Sequence, residues 1–173
     1  GEETAAPSLP LPLPAAASSL SDEEEAFGDY EVIVTELVLQ LITTLDPKKN
    51  LTKCNRLYQL LLDLPAMPLG TLCRISEMVE TRGNDAHVFL GLTALREVAL
   101  HRRGPMATRL VALDGVLRLA GDRDEDLRDK VIRLTVNKLW PCPDLKVQVE
   151  AAATEALTNL CRGGGGGGSG KKD

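Results

Sequence analysis

Residues Gly91 to Trp140 read GLTALREVALHRRGPMATRLVALDGVLRLAGDRDEDLRDKVIRLTVNKLW. They spell one helix ending at Arg103, a second from Pro105 to Ala120, and a third opened by the acidic turn DRDEDLR. Gly104-Pro105 divides the first two: a glycine just beyond a helix end, then a proline where its missing N–H costs nothing. The second helix has one stripe, Met106, Leu110, Leu113 and Leu117, at the spacing of a single face. The third has two, Leu127, Val131, Leu134 and Ile132, Val136, Leu139. At 100° per residue these cover more than half the circumference, which predicts an inner helix touching neighbours on two sides. Its first turn gathers Asp122, Asp124, Glu125 and Asp126, whose carboxylates accept from orphan N–H groups and oppose the helix dipole. An acidic turn, an apolar residue, an arginine and a further stripe make one half of a paired-helix repeat.

The same pattern extends outward. Asp29 is placed to cap a first helix with Tyr30, Val34, Leu37 and Leu41 on one face, stopped by Asp46-Pro47. Asn50 is placed to cap a second, striped by Cys54, Leu57, Leu61 and Leu64. A third runs from Gly70 to Thr81 with Leu72, Ile75 and Val79. Gly83 ends it and Asn84-Asp85 caps a fourth, carrying Val88, Leu92, Leu95 and Ala99. A seventh, from Asp144, shows Leu145, Val149, Ala152, Ala156 and Leu160. Alternate helices therefore begin near residues 29, 69, 105 and 144. Their spacing is closer to the paired helices of HEAT and armadillo repeats than to the 34-residue tetratricopeptide repeat, whose tryptophan, glycine and tyrosine positions are also missing. The expected fold is all-α: an α-solenoid of stacked HEAT/armadillo-like helix pairs with about seven helices. The repeat signature within it is Leu92, Leu95, Leu113, Asp126, Leu127, Arg128 and Val131.

Composition agrees. Of 173 residues, 43% are hydrophobic and only 3% aromatic, so the core must come from Leu, Val, Ile and Ala, as in helical repeats. The net charge of −5 is unevenly placed. Residues 1–28 hold six acids and no base; removing these six from the chain's 25 leaves 19 against 20 basic residues. A near-neutral body has no whole-domain footprint for nucleic acid. Prolines at alternate positions from Pro10 to Pro14 deny both helix and ladder bonds, so residues 1–28 are expected to be disordered, 29–162 to form the helical body, and the Gly-rich residues 163–173 a flexible tail. Both ends read as cut from something longer. No secretory signal and no apolar run of membrane-spanning length are present. Cys54, Cys73, Cys142 and Cys161 form no C-x-x-C and fall in helical patterns, which predicts buried reduced thiols in an intracellular chain.

Residues with chemical potential are few. His87 and His101 have no ligand partner four residues away on the same face, and His101 suits a helix C-terminus. The acidic turn lacks the central glycine and distal glutamate of a calcium loop. No catalytic, cofactor or metal residues are expected, and no enzyme activity. Arg96, Arg102, Arg103, Arg109 and Arg118 are placed to gather along one edge of the array, as a solvated edge or, in the second reading, as a dock for an acidic protein tail. No exposed aromatics interleave for base stacking. Trp140 at a helix end is either a core plug or an exposed anchor. Partner-binding candidates are thus Arg96, Arg102, Arg103, Arg109 and Trp140.

Several motifs also carry a family resemblance. They are Asp29-Tyr30-Glu31 before an apolar helix, LLLDLPAMP at Leu60 to Pro68, and Gly91-Leu92-Thr93-Ala94-Leu95-Arg96-Glu97. Basic residues follow, then Pro105, Leu113-Asp114, the acidic turn, Leu127-Arg128, and a helix ending in Lys138 and Trp140. In order and spacing, the segment from Asp29 to about Leu160 resembles the central region of the symplekin family, scaffolds of messenger RNA 3′-end cleavage and polyadenylation. The resemblance implies a non-catalytic scaffold in the nucleus, with the cytoplasm as a second compartment. Its partners would be protein subunits of the cleavage and polyadenylation complex, with RNA contact indirect or weak and neither membrane nor small-molecule substrate. No stretch resembles that family's phosphatase-engaging amino-terminal domain. The alternative is another HEAT-repeat adaptor, of the nuclear transport receptor, coat or tubulin-cofactor type.

Overall fold

The computed structural model describes residues 17–81 and 84–163, and among these it holds seven α-helices and no strand. They are α1 (Ala17–Thr44), α2 (Leu51–Asp63), α3 (Leu69–Thr81), α4 (Asp85–His101), α5 (Met106–Arg118), α6 (Glu125–Leu134) and α7 (Pro143–Gly163). A 3-10 turn, Leu119–Gly121, closes α5, and a π turn, Thr135–Leu139, prolongs α6.

The helix ends follow local chemistry. Asn84 caps α4 by accepting from the Ala86 N–H at 2.8 Å, and Asp124 caps α6 by accepting from the Leu127 N–H at 2.9 Å. Gly104, at φ 137°, makes the left-handed turn after α4 that a side chain would resist. Two expected caps differ. Asn50 occupies the cap position of α2, but its side chain makes no cap bond. Asp29 lies inside α1, which begins twelve residues earlier at Ala17. The last proline of the N-terminal run is Pro14, and ASSLSDEEEA beyond it contains nothing that breaks a helix. Ala17 to Gly28, expected to be disordered, is therefore helical. The Pro-rich stretch, Gly83 and the glycines after Gly163 lie outside the described residues.

Helices two apart in the chain pack together. α1 lies on α3, α3 on α5 and α5 on α7; α2 lies on α4, and α4 meets the π turn. Consecutive helices α3, α4 and α5 also pack together, so α4 has neighbours on several sides. Its residues Leu90 to Leu95 are all buried, with no alternation. Each fully buried leucine contributes about 1.5–3 kcal/mol relative to exposure. Two glycines permit the close approaches: a Cβ on Gly91 would meet the Val79 side chain at 2.5 Å, and one on Gly115 would strike the Ser76 hydroxyl.

The expectation for α6 is corrected. Leu127, Val131, Thr135 and Leu139 are buried, but Ile132 and Val136 are 42% and 53% exposed. The π turn, closed by Trp140 N–H donating to Thr135 C=O at 2.8 Å, accommodates one extra residue and turns Leu139 inward. The second apolar side has no cover, and the inner helix is α4. The cysteines also divide. Cys54 is buried, Cys142 is half-buried in the turn before α7, and Cys73 and Cys161 are exposed; all four are free thiols.

Candidate functional site

The arginines do not form a stripe. Arg102 is buried, 6% exposed, just after the end of α4. Its guanidinium donates to the carbonyls of Leu61 at 2.6 Å, Leu62 at 3.3 Å and Leu64 at 2.8 Å, the orphan acceptors ending α2. A planar fork of N–H donors suits several carbonyls at once. Burial lowers its pKa below the ordinary guanidinium range. Arg102 is thus a structural clamp, not a docking residue.

Arg109, on α5, is half-buried. Its Nε donates to the Ala99 carbonyl at 2.9 Å, and its terminal nitrogen meets Asp144 of α7 at 3.0 Å. Both bonds tie helices together, so Arg109 is likewise withdrawn from the expected edge. Arg96 is ion-paired with Glu97. Arg118 pairs with Asp114 at 3.3 Å and reaches Glu80 at 3.9 Å. Of the five, Arg103 and Arg118 are exposed, Arg118 while paired as above. The sequence had placed these residues by spacing, and spacing does not reveal a carbonyl cluster some forty positions away.

Trp140 is the exposed alternative of the two foreseen. Its indole N–H donates to Glu150 at 3.1 Å and the Lys146 ammonium stands 5.4 Å from its ring centre. It walls an open apolar groove of about 710 Å³ between α6 and α7. The floor is Leu117, Ala120, Thr135 and Val149; the walls are Ile132, Val136 and Trp140 on one side, Ala153, Ala156 and Leu157 on the other. Arg128 and Glu150 stand among its lining residues. Thr135 Oγ1, in this lining, is buried without a hydrogen-bond partner. Sequence reasoning named Ile132 and Val136 as apolar but assigned them to a covered face, so the groove was missed.

A second groove, about 840 Å³, lies between the α1–α2 connection and the start of α4, lined by Thr43, Asp46, Lys48, Leu51, His87 and Phe89 among others. His101 stands 3.8 Å from Glu97. Among the described residues no three of His, Cys, Asp and Glu come together as a metal-binding group. No helix there is long and apolar enough to cross a membrane.

Comparison with family models, curated proteins and solved structures finds no match.

The signature residues occupy packing positions. Leu92, Leu95, Leu113, Leu127 and Val131 are core. Asp126 is exposed in the first turn of α6, and Arg128 reaches back to the Asp122 carbonyl at 3.4 Å and to Glu125 at 3.9 Å. These residues build the helices beside the groove.

Proposed function

We propose that this chain is a segment of an α-solenoid of HEAT/armadillo-like helix pairs, serving as a non-catalytic scaffold in a symplekin-like protein that gathers messenger RNA 3′-end cleavage and polyadenylation factors. The observation that carries the solenoid is the packing of helices two apart along the chain: α1 on α3, α3 on α5, α5 on α7, and α2 on α4. The bonds across the odd row recur at nearly constant offset. Tyr30 Oη of α1 donates to the Ala66 carbonyl in the link before α3 and Thr35 of α1 bonds Thr71 of α3, both 36 residues apart; Arg109 of α5 bonds Asp144 of α7, 35 apart. A constant offset is what stacked repeats produce. A scaffold suits a molecule with an open apolar groove between two of its helices.

The link to messenger RNA processing rests on the residues of Leu60–Pro68 and Gly91–Trp140 that resemble the symplekin family. Affinity purification from nuclear extract tests it, with recovery of polyadenylation factors as the expected result. Recovery of transport cargo, coat subunits or tubulin cofactors instead would assign the chain to another HEAT-type adaptor. An RNA contact of its own would show as affinity falling steeply with salt; the near-neutral body predicts flat, weak binding. Small-angle scattering tests the solenoid, which requires an elongated particle.

A further inference from the structure

The groove between α6 and α7 has the relief that receives a third helix. One wall carries Ile132, Val136 and Trp140 at intervals of four residues, and the α7 wall carries Val149, Ala153 and Leu157 at the same interval. Side chains four apart form the ridges of helix packing, and the furrow between two such ridges takes a ridge of another helix. From Arg128 to Trp140 the wall is about 18 Å long at 1.5 Å per residue, the length of a three-turn helix. The lining also chooses a helix over an extended segment. Apart from the indole N–H, only Arg128, Thr135 and Glu150 bring polar side chains to it. The Thr135 hydroxyl is buried, and Glu150 already accepts from Trp140 at 3.1 Å and stands 3.8 Å from Lys146. An extended peptide laid here would bury backbone N–H and C=O groups unpaired, whereas a helix bonds its own. Among the described residues no strand offers an edge to which an extended segment could add.

We infer that this groove docks an amphipathic helix of a partner protein, its aliphatic side chains at i, i+4 and i+7 pressed between the two ridges and an acidic side chain at its C-terminal end set against Arg128. The inference deepens the scaffold reading above, on which the choice of a partner protein rests. The two charges of the lining fix the direction of the docked helix. Trp140 holds Glu150 at one end of the groove, and Arg128 stands twelve residues away at the other. Arg128 keeps only long contacts of its own, 3.4 Å to the Asp122 carbonyl and 3.9 Å to Glu125, so it is the charge that a partner's carboxylate meets. The negative end of a helix dipole then points at Arg128 and the positive end at Glu150, each to its favourable neighbour. Three helical turns bury less than the roughly 800 Å² per partner of a standard interface, so the contact is weak and reversible.

Fluorescence of Trp140, the single tryptophan of the chain, reads docking directly. The probe is an alanine-rich peptide of about 16 residues, long enough to hold a helix, with leucines at i, i+4, i+7 and i+11 and a glutamate in its last turn. On titration the emission of the full chain should move to the blue and saturate, while a peptide of the same composition with its leucines dispersed around the helix should bind at least about tenfold more weakly. Val136→Glu and Leu157→Glu, both at exposed positions, should weaken binding by about tenfold or more with unchanged circular dichroism. Phe89→Glu, in the other groove, should leave it unchanged. Arg128→Glu should weaken it severalfold, and a probe with lysine in place of its glutamate should restore it. Emission unmoved by the probe, equal binding of the dispersed peptide, or binding that survives Val136→Glu would each overturn the docking. Self-association abolished by Val136→Glu, with no response to the peptide, would give the groove to a second copy instead. Purification from nuclear extract separates the two ideas. Polyadenylation factors recovered equally by wild type and Val136→Glu would leave the scaffold standing and remove the groove as its dock. A docked probe with no such factors recovered would keep the dock and remove the messenger RNA reading.

Discussion

Arg102 spends its charge on the three backbone carbonyls of Leu61, Leu62 and Leu64. Replacing it with alanine strands the carbonyls of Leu61, Leu62 and Leu64, and opens a void where the side chain lay. Hydrogen bonds to a charged donor are each worth about 1.5–3 kcal/mol, and an acceptor left unmade while buried carries its own penalty. Arg102→Ala should therefore lower the urea unfolding free energy by roughly 3 kcal/mol, allowing for partial rescue by water. Arg103→Ala, at the exposed neighbour, should change it by less than about 0.5 kcal/mol. Equal losses would show that the clamp does not form in solution. Sequence offered no distinction between the two residues. Both read as cations at a helix end, and the difference lies in where the end of α2 falls relative to α4.

Among the helices, the closest approaches are set by absent side chains. Gly91→Ala adds a methyl that meets Val79 on α3, and α3 is itself held against α1 by Thr35 and Thr71. Overpacking of this kind costs typically about 1–3 kcal/mol. It outweighs the roughly 1 kcal/mol gained from alanine's better helix propensity, so thermal denaturation of Gly91→Ala should show a lower midpoint. A rise would mean that α3 and α4 have room to separate. Helix number, order and most boundaries were legible because periodic leucines, proline stops and aspartate caps act over a few residues. The start of α1 was misplaced because the alternating prolines suggested that disorder ran on to Gly28. The second face of α6 was read correctly as apolar and wrongly as covered, for periodicity records which side chains are greasy and not what lies against them.

For the whole molecule, burial of titratable groups sets an alkaline limit. Burial pushes the Cys54 thiol above its ordinary 9.0 and the Tyr58 phenol above its ordinary 10.0. Both are acids whose folded pKa is raised, so the unfolded chain releases its protons first as pH climbs. Their contribution is complete below the ordinary values and is lost as pH rises through the raised ones. The thermal midpoint should hold steady from neutrality to about pH 8 and fall beyond about pH 9. In Cys54→Ala the thiol part of that fall disappears, leaving a later onset governed by Tyr58. An alkaline midpoint as high as the neutral one would contradict both burials. The candidate surface was the least legible feature at this scale. Five arginines suggested a charged edge, but folding withdrew Arg102 and Arg109 and paired Arg96 and Arg118. What it left open is the apolar groove beside Trp140.

The unbroken burial of Leu90 to Leu95 has a consequence for how this sequence can drift over generations. A helix with one solvent face gives mutation a place to land every few positions; the middle of α4 gives none. In a saturation mutagenesis library selected for soluble expression, this six-residue window should be depleted of polar replacements at every position. The stretch from Ala153 to Asn159, exposed throughout, should accept them almost freely. The fourth helix would then be the slowest-changing part of the molecule through packing alone.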